Sequence, residues 1–198
     1  KVRGVMEPVL ASSCTETLVD LSGARMVCLM NYPRAEQKVL RARLRDGLNR
    51  LVAAKGLFGS IDFSLAVGEP CTTFGELASS LPAALNLLSE RLIEGTGRML
   101  EGEAGRSGLL DMDFMAQYTQ AASHAIDVMS EAEADAAADA LSQAAAIPGV
   151  RGWELVTLVR SAGVMFVNRL NAGENDGALA DFNRRCDQCS VPAELFGC

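Results

Sequence analysis

The apolar pattern of this 198-residue chain changes period once, and that change limits the folds open to it. Up to about residue 101, strand-length apolar runs alternate with amphipathic helical segments. After residue 108 the pattern is helical throughout. Thr15–Asp20 and Arg25–Tyr32 flank a turn at Leu21-Ser22-Gly23-Ala24, and the second flank carries the apolar run Met26–Met30. Two strand-like runs around Ser-Gly read as a hairpin, closed by Pro33. Ala35 to Ala54 then reads as one helix. Leu40, Leu44, Leu48, Leu51 and Val52 make its stripe, while Lys38, Arg41, Arg43, Arg45 and Arg50 lie mostly off it. Gly56 and Gly59 close it.

Residues 61–67 alternate in the two-residue period of a half-buried strand, stopped by Gly68-Glu69-Pro70. A second helix starts near Thr73, with Glu76 in the capping-box position, and carries Leu77, Leu81, Ala84, Leu85, Leu88 and Leu92. Pro82 falls inside it and predicts a kink or a fresh start. Gly95–Leu100 reads as a short edge strand. The Gly-, Glu- and Ser-rich stretch Glu101–Gly108 is the expected boundary. Beyond it come four helices: Asp111–Met129, an alanine-rich one capped by Ser130 with Glu133 and ending at Pro148-Gly149, Gly152–Leu170, and Gly177–Cys189. The expected class is therefore α+β: a sheet-and-helix domain over 1–102, then an all-α bundle over 109–198.

Charge narrows the partners. Residues 1–102 hold 12 Lys+Arg against 11 Asp+Glu, and residues 103–198 hold 6 against 14. The acidic half repels a phosphate backbone, so specific DNA binding by this chain alone is not expected. No apolar run reaches the roughly 18 residues of a membrane helix, and Lys1–Leu10 has no signal-peptide h-region. Six cysteines, at 14, 28, 71, 186, 189 and 198, do not space like a secreted disulfide framework. A reducing, cytoplasmic setting is expected.

The motifs that could carry chemistry are sparse. Cys186-Asp-Gln-Cys189 is a C-x-x-C with Cys198 nine residues on, but a structural zinc needs about four ligands and no further Cys or His lies near in sequence. Incidental helix-end cysteines are the better reading, and no metal or other cofactor is expected. His124, the one histidine, reads as a structural helix residue. There is no G-x-S-x-G and no Walker pattern, and Gly95-Thr-Gly97 is too short for a phosphate loop. The arginines of the 35–54 helix read as a solvated face.

The order strand, turn, strand, long helix, strand, helix, strand, over about Cys14–Leu100, resembles the second part of a GGDEF domain. It resembles more closely the degenerate GGDEF-like region in the middle of YesN-type response regulators and related AraC-family activators. The segment Phe74-Gly-Glu-Leu-Ala-Ser-Ser-Leu-Pro-Ala-Ala-Leu85 follows Leu65-Ala-Val-Gly68 as that family's Ser/Ala-x-x-x-Ala-Leu helix follows its strand end. The resemblance places the signature loop at Ser22, Gly23, Ala24, Arg25 and Met26. A cyclase needs glycines there for backbone approach to the nucleotide, and acids to hold Mg²⁺ and activate the hydroxyl. Ala24 and Arg25 stand in the acids' places. The resemblance thus implies a catalytically inactive sensing or signal-coupling region of a bacterial transcriptional regulator. DNA would be reached only through a helix-turn-helix module outside these residues, and a small-molecule effector would be possible. A homodimer is expected through the helical half, because Trp153–Leu170 is apolar around most of its circumference. The competing readings are a small-molecule-binding module of an unrelated α/β family and an enzyme of a class without a visible signature.

Overall fold

A computed structural model describes residues 2–22, 25–58, 61–102, 109–170 and 176–198. Its contacts form two compact units, one of residues 1–65 with 96–99, the other of residues 66–95 with 100–198. The boundary expected at 101–108 falls largely on residues 103–108, outside those described. The α+β class holds in its broad form, with many helices and small sheets. No described helix is long and apolar enough to cross a membrane.

In the first unit, α1 (Val2–Ala11) packs on α2 (Gln37–Ala53). Met6, Val9 and Leu10 of α1 are buried, as are Leu40, Leu44, Leu48 and Leu51 of α2. The last four belong to the stripe that the sequence predicts, and its fifth member, Val52, is half-buried. Arg43 donates from Nη1 to the carbonyl and the hydroxyl of Ser12, both at 2.8 Å, and so ties the end of α1 to α2. The hairpin forms where expected: β1 (Glu16–Ser22) pairs antiparallel with β2 (Arg25–Asn31), in a register running from Glu16↔Asn31 to Ser22↔Arg25. Helix α1 itself was not legible. Its Pro8 sits in mid-helix, where proline argues against a helix.

The expected strand over 61–67 shrinks to β3 (Leu65–Ala66), and the one over Gly95–Leu100 to β4 (Met99–Leu100). The cause lies in the second segment. Gly95 and Gly97 take φ of 89° and 78°, so that segment enters extended geometry only near Met99. Leu65 N–H then bonds Arg98 O at 3.1 Å, and Val67 N–H bonds Leu100 O at 3.1 Å. Ile61 has no ladder partner to reach and stands exposed.

The second unit is helical. Helix α3 (Phe74–Ser89) begins with the expected capping box: Thr73 Oγ1 accepts from Glu76 N–H, and the Glu76 carboxylate accepts from Thr73 N–H. The Thr72 and Thr73 amides hold that carboxyl below the usual carboxylate range. Pro82 neither ends nor restarts the helix, which continues to Ser89. After α4 (Arg91–Glu94) come α5 (Met112–Val128), α6 (Glu131–Ala145), α7 (Gly152–Arg169) and α8 (Asp176–Gln188), as expected, and then α9 (Pro192–Phe196), which was not expected. Ser130 caps α6 by accepting from Glu133 N–H at 3.3 Å. Leu141, Leu155, Leu195 and Tyr118 centre the core, which Ala122, Ala125, Ala137 and Ala144 complete. The alanines of α6 allow close approach to α5 and α9.

Two buried carboxylates fix the start of α7. Glu154 accepts from the amides of Arg151 at 2.8 Å, Leu110 at 3.0 Å and Leu109 at 3.4 Å. Glu90, at the junction of α3 and α4, accepts from Gly152 N–H at 3.3 Å and faces Arg151 Nη1 at 3.7 Å. Three amides gathered on one acid satisfy backbone groups that a buried loop would otherwise orphan.

Candidate functional site

The loop singled out by sequence is only partly described. Ser22 ends β1 and Arg25 begins β2, opposite each other in the ladder, while Gly23 and Ala24 lie outside the described residues. The second strand opens with a guanidinium, which repels a divalent cation, and the sequence Ser22–Met26 contains no acid. Leu18, Leu21 and Leu29 leave apolar surface exposed on this ribbon.

The most chemically loaded cluster lies elsewhere, at the C-terminal end of α8. Cys186 and Cys189, three apart, are 1% and 6% exposed, and both belong to the core that includes Leu155 and Leu195. Helix α9 returns the chain so that Cys198 Sγ lies 3.5 Å from Cys189 Sγ. Around this pair, Cys189 Sγ is 3.2 Å from Arg185 O and Cys198 Sγ is 3.4 Å from Glu194 O. Arg185 Nη2 donates to Cys198 O at 2.8 Å. Arg91, from α4, donates to the carbonyls of Asp187 at 2.9 Å and Cys189 at 3.0 Å, satisfying groups that a helix end leaves open. Arg160 of α7 forms an ion pair with the Asp187 carboxylate.

Burial pushes the Cys189 thiol up to about 12, and its hydrogen bond with Cys198 adds to the rise. Burial likewise raises Cys186 to about 11, with neighbouring Cys198 second and Arg160 opposing. Among the described residues, no three His, Cys, Asp or Glu side chains are grouped to hold a metal ion. The C-x-x-C stands at the end of α8, where the sequence places it, and the fold brings a third thiol, Cys198, to it. The available signal was Pro192, a residue favoured in the first turn of a helix, which starts α9 and turns Cys198 back.

A third feature is an open groove of about 730 Å³ along α5, lined by Met112, Met115, Thr119, His124, Asp127 and, from α7, Met165. His124 is exposed on its wall, not sequestered in the core. Asp127 pairs with Arg169 Nε at 3.4 Å. Flexible thioethers on an open wall suit an apolar body of variable shape. No family model matches this chain, and it matches no curated protein and no solved structure.

Proposed function

We propose that this chain is the sensing or signal-coupling region of a bacterial transcriptional regulator similar to the AraC and YesN-type proteins, that it is catalytically inactive, and that it works as a homodimer. DNA would be contacted through a module outside these 198 residues. The observation that carries the reading is the hairpin of β1 and β2, followed by the long α2, with Arg25 opening β2 where a cyclase of similar order would need an acid. Ala24 and Arg25 supply no carboxylate to hold a metal or activate a hydroxyl, which favours a scaffold over a catalyst. The C-terminal half of α7 supports the dimer. Val164 and Phe166 remain 39% and 41% exposed there, while Leu155 to Val159 are largely sequestered.

A second reading, a small-molecule-binding module of an unrelated α/β family, is favoured by the methionine-lined groove along α5. The test uses the full-length gene product. Chromatin recovered with it should be enriched in discrete promoter fragments, and incubation with GTP and Mg²⁺ should give no cyclic dinucleotide above a no-protein control. Cyclic product, or recovery of DNA no better than a mock sample, would overturn the regulator reading.

A further inference from the structure

We propose that Cys189 and Cys198 form a reversible thiol–disulfide site, closed by a hydroperoxide and reopened by a dithiol. Three observations meet here. The two sulfurs are 3.5 Å apart, so a small rotation brings them to the roughly 2.05 Å of a bond. They sit on different elements, Cys189 just after α8 and Cys198 just after α9, so the bond would staple one to the other. Their accessibility differs. Cys198 is half-buried, whereas Cys189 is buried.

That difference assigns the order of events. Cys198, as thiolate, attacks the distal oxygen of the hydroperoxide. An S–O bond forms, the O–O bond breaks, and the departing alkoxide or hydroxide takes up a proton. Cys189 sulfur then attacks the resulting sulfenic sulfur. The S–S bond forms, the S–O bond breaks, and hydroxide leaves as water with the proton that Cys189 gives up. Two thiols and one hydroperoxide thus become one disulfide, one alcohol (or water) and one water. Each sulfur loses one electron, and the peroxide gains two. Attack and resolution need only the neighbour already in contact, which makes the second step intramolecular. Burial keeps Cys189 largely protonated until the sulfenic acid forms beside it, so it acts as the resolving rather than the attacking thiol.

The site can be read on one peptide. Trypsin cleaves after Arg185, and no Lys or Arg lies between Cys186 and Cys198, so all three thiols leave together. The 198-residue chain is treated with hydrogen peroxide, quenched, alkylated with N-ethylmaleimide, digested and weighed. The expected peptide carries one alkyl group, on Cys186, and is lighter by two hydrogens at the other two sulfurs. Dithiothreitol before alkylation should return three alkyl groups. Cys198→Ser, at a half-buried position, should abolish the disulfide while leaving the circular dichroism unchanged. Cys186→Ala should leave it in place. Three alkyl groups after peroxide, a sulfinic acid at Cys198 with no disulfide, or fragmentation that maps the bond to Cys186 would each overturn the proposal.

Discussion

Adding one methyl group at Gly152 tests the packing at the start of α7. On helix propensity alone, Ala in place of Gly gains up to about 1 kcal/mol. The structure gives the opposite sign. A Cβ at Gly152 would run into the Ser89 carbonyl, which ends α3, and would lie 3.0 Å from Glu90 N. Backbone cannot swing aside as a flexible side chain can, so α7 must lift from α3. Forced overpacking of this kind costs about 1–3 kcal/mol. Lifting α7 also stretches the 3.3 Å bond from Gly152 N–H to Glu90 and the contact of Glu90 with Arg151, which leaves a buried carboxyl short of partners. That adds about 1–3 kcal/mol. Net of propensity, Gly152→Ala should destabilise the second unit by about 1–5 kcal/mol. The readout is urea unfolding followed by the fluorescence of Trp153, the single tryptophan and the next residue along. Gly4 in α1 is the control, since nothing lies within 4 Å of its Cβ position. Gly4→Ala, in the first unit and therefore followed by circular dichroism, should stabilise by up to about 1 kcal/mol. If Gly152→Ala proves as stable as the parent, the close approach is wrong.

Leu141→Ala removes a side chain that is 1% exposed at the centre of the helical core and should cost about 2–5 kcal/mol in urea unfolding. Glu90 has its carboxyl raised above the ordinary 4.5, chiefly by burial and against the pull of Gly152 N–H and Arg151. The folded chain therefore holds that proton more tightly than the unfolded chain. Its contribution to stability is full below pH 4.5 and falls as pH rises towards the folded value. Glu90→Gln should flatten the stability profile over that window, and an unchanged slope would refute the assignment. Sedimentation at micromolar concentration should give twice the 21.0 kDa of one chain, and a clean monomer would count against the homodimer.

The parts of the fold that were legible are those whose signal is local. The α2 stripe of Leu40, Leu44, Leu48 and Leu51 depends only on period, and all four are buried. The capping box at Thr73 and Glu76 and the Ser130 cap depend on residues three apart. What the sequence concealed depends on distant neighbours. Pro82 predicts a kink or a fresh start, yet α3 runs through it to Ser89, with Pro82 and Leu81 both exposed. The 61–67 alternation is a sound strand pattern that found only a two-residue partner, because two glycines with positive φ precede Met99. The roles of Glu90 and Glu154 were invisible, since each binds amides brought to it by folding. The site fared similarly. Ser22 and Arg25 stand at the hairpin end as expected, but nothing in the C-x-x-C spacing says that Cys198 returns to it.

The thiol pair and the Glu90 clamp meet in α4. Arg91 holds the carbonyls of Asp187 and Cys189 at the end of α8, and its neighbour Glu90 holds the start of α7. A disulfide between Cys189 and Cys198 would close a loop of about ten residues around α9, worth roughly 3 kcal/mol of chain entropy. That is about a hundredfold in any equilibrium by which α9 leaves the core. Leu195 of α9 is fully buried among the same core residues as Leu155 of α7, so such an opening would uncover apolar surface on the second unit. A coupling region needs an element whose two arrangements differ by a few kcal/mol, a difference that one ligand or bond can outweigh. Five-residue α9, held to the core through Leu195, Phe196 and Cys198, is closer to that scale than α5, which packs on both α6 and α7.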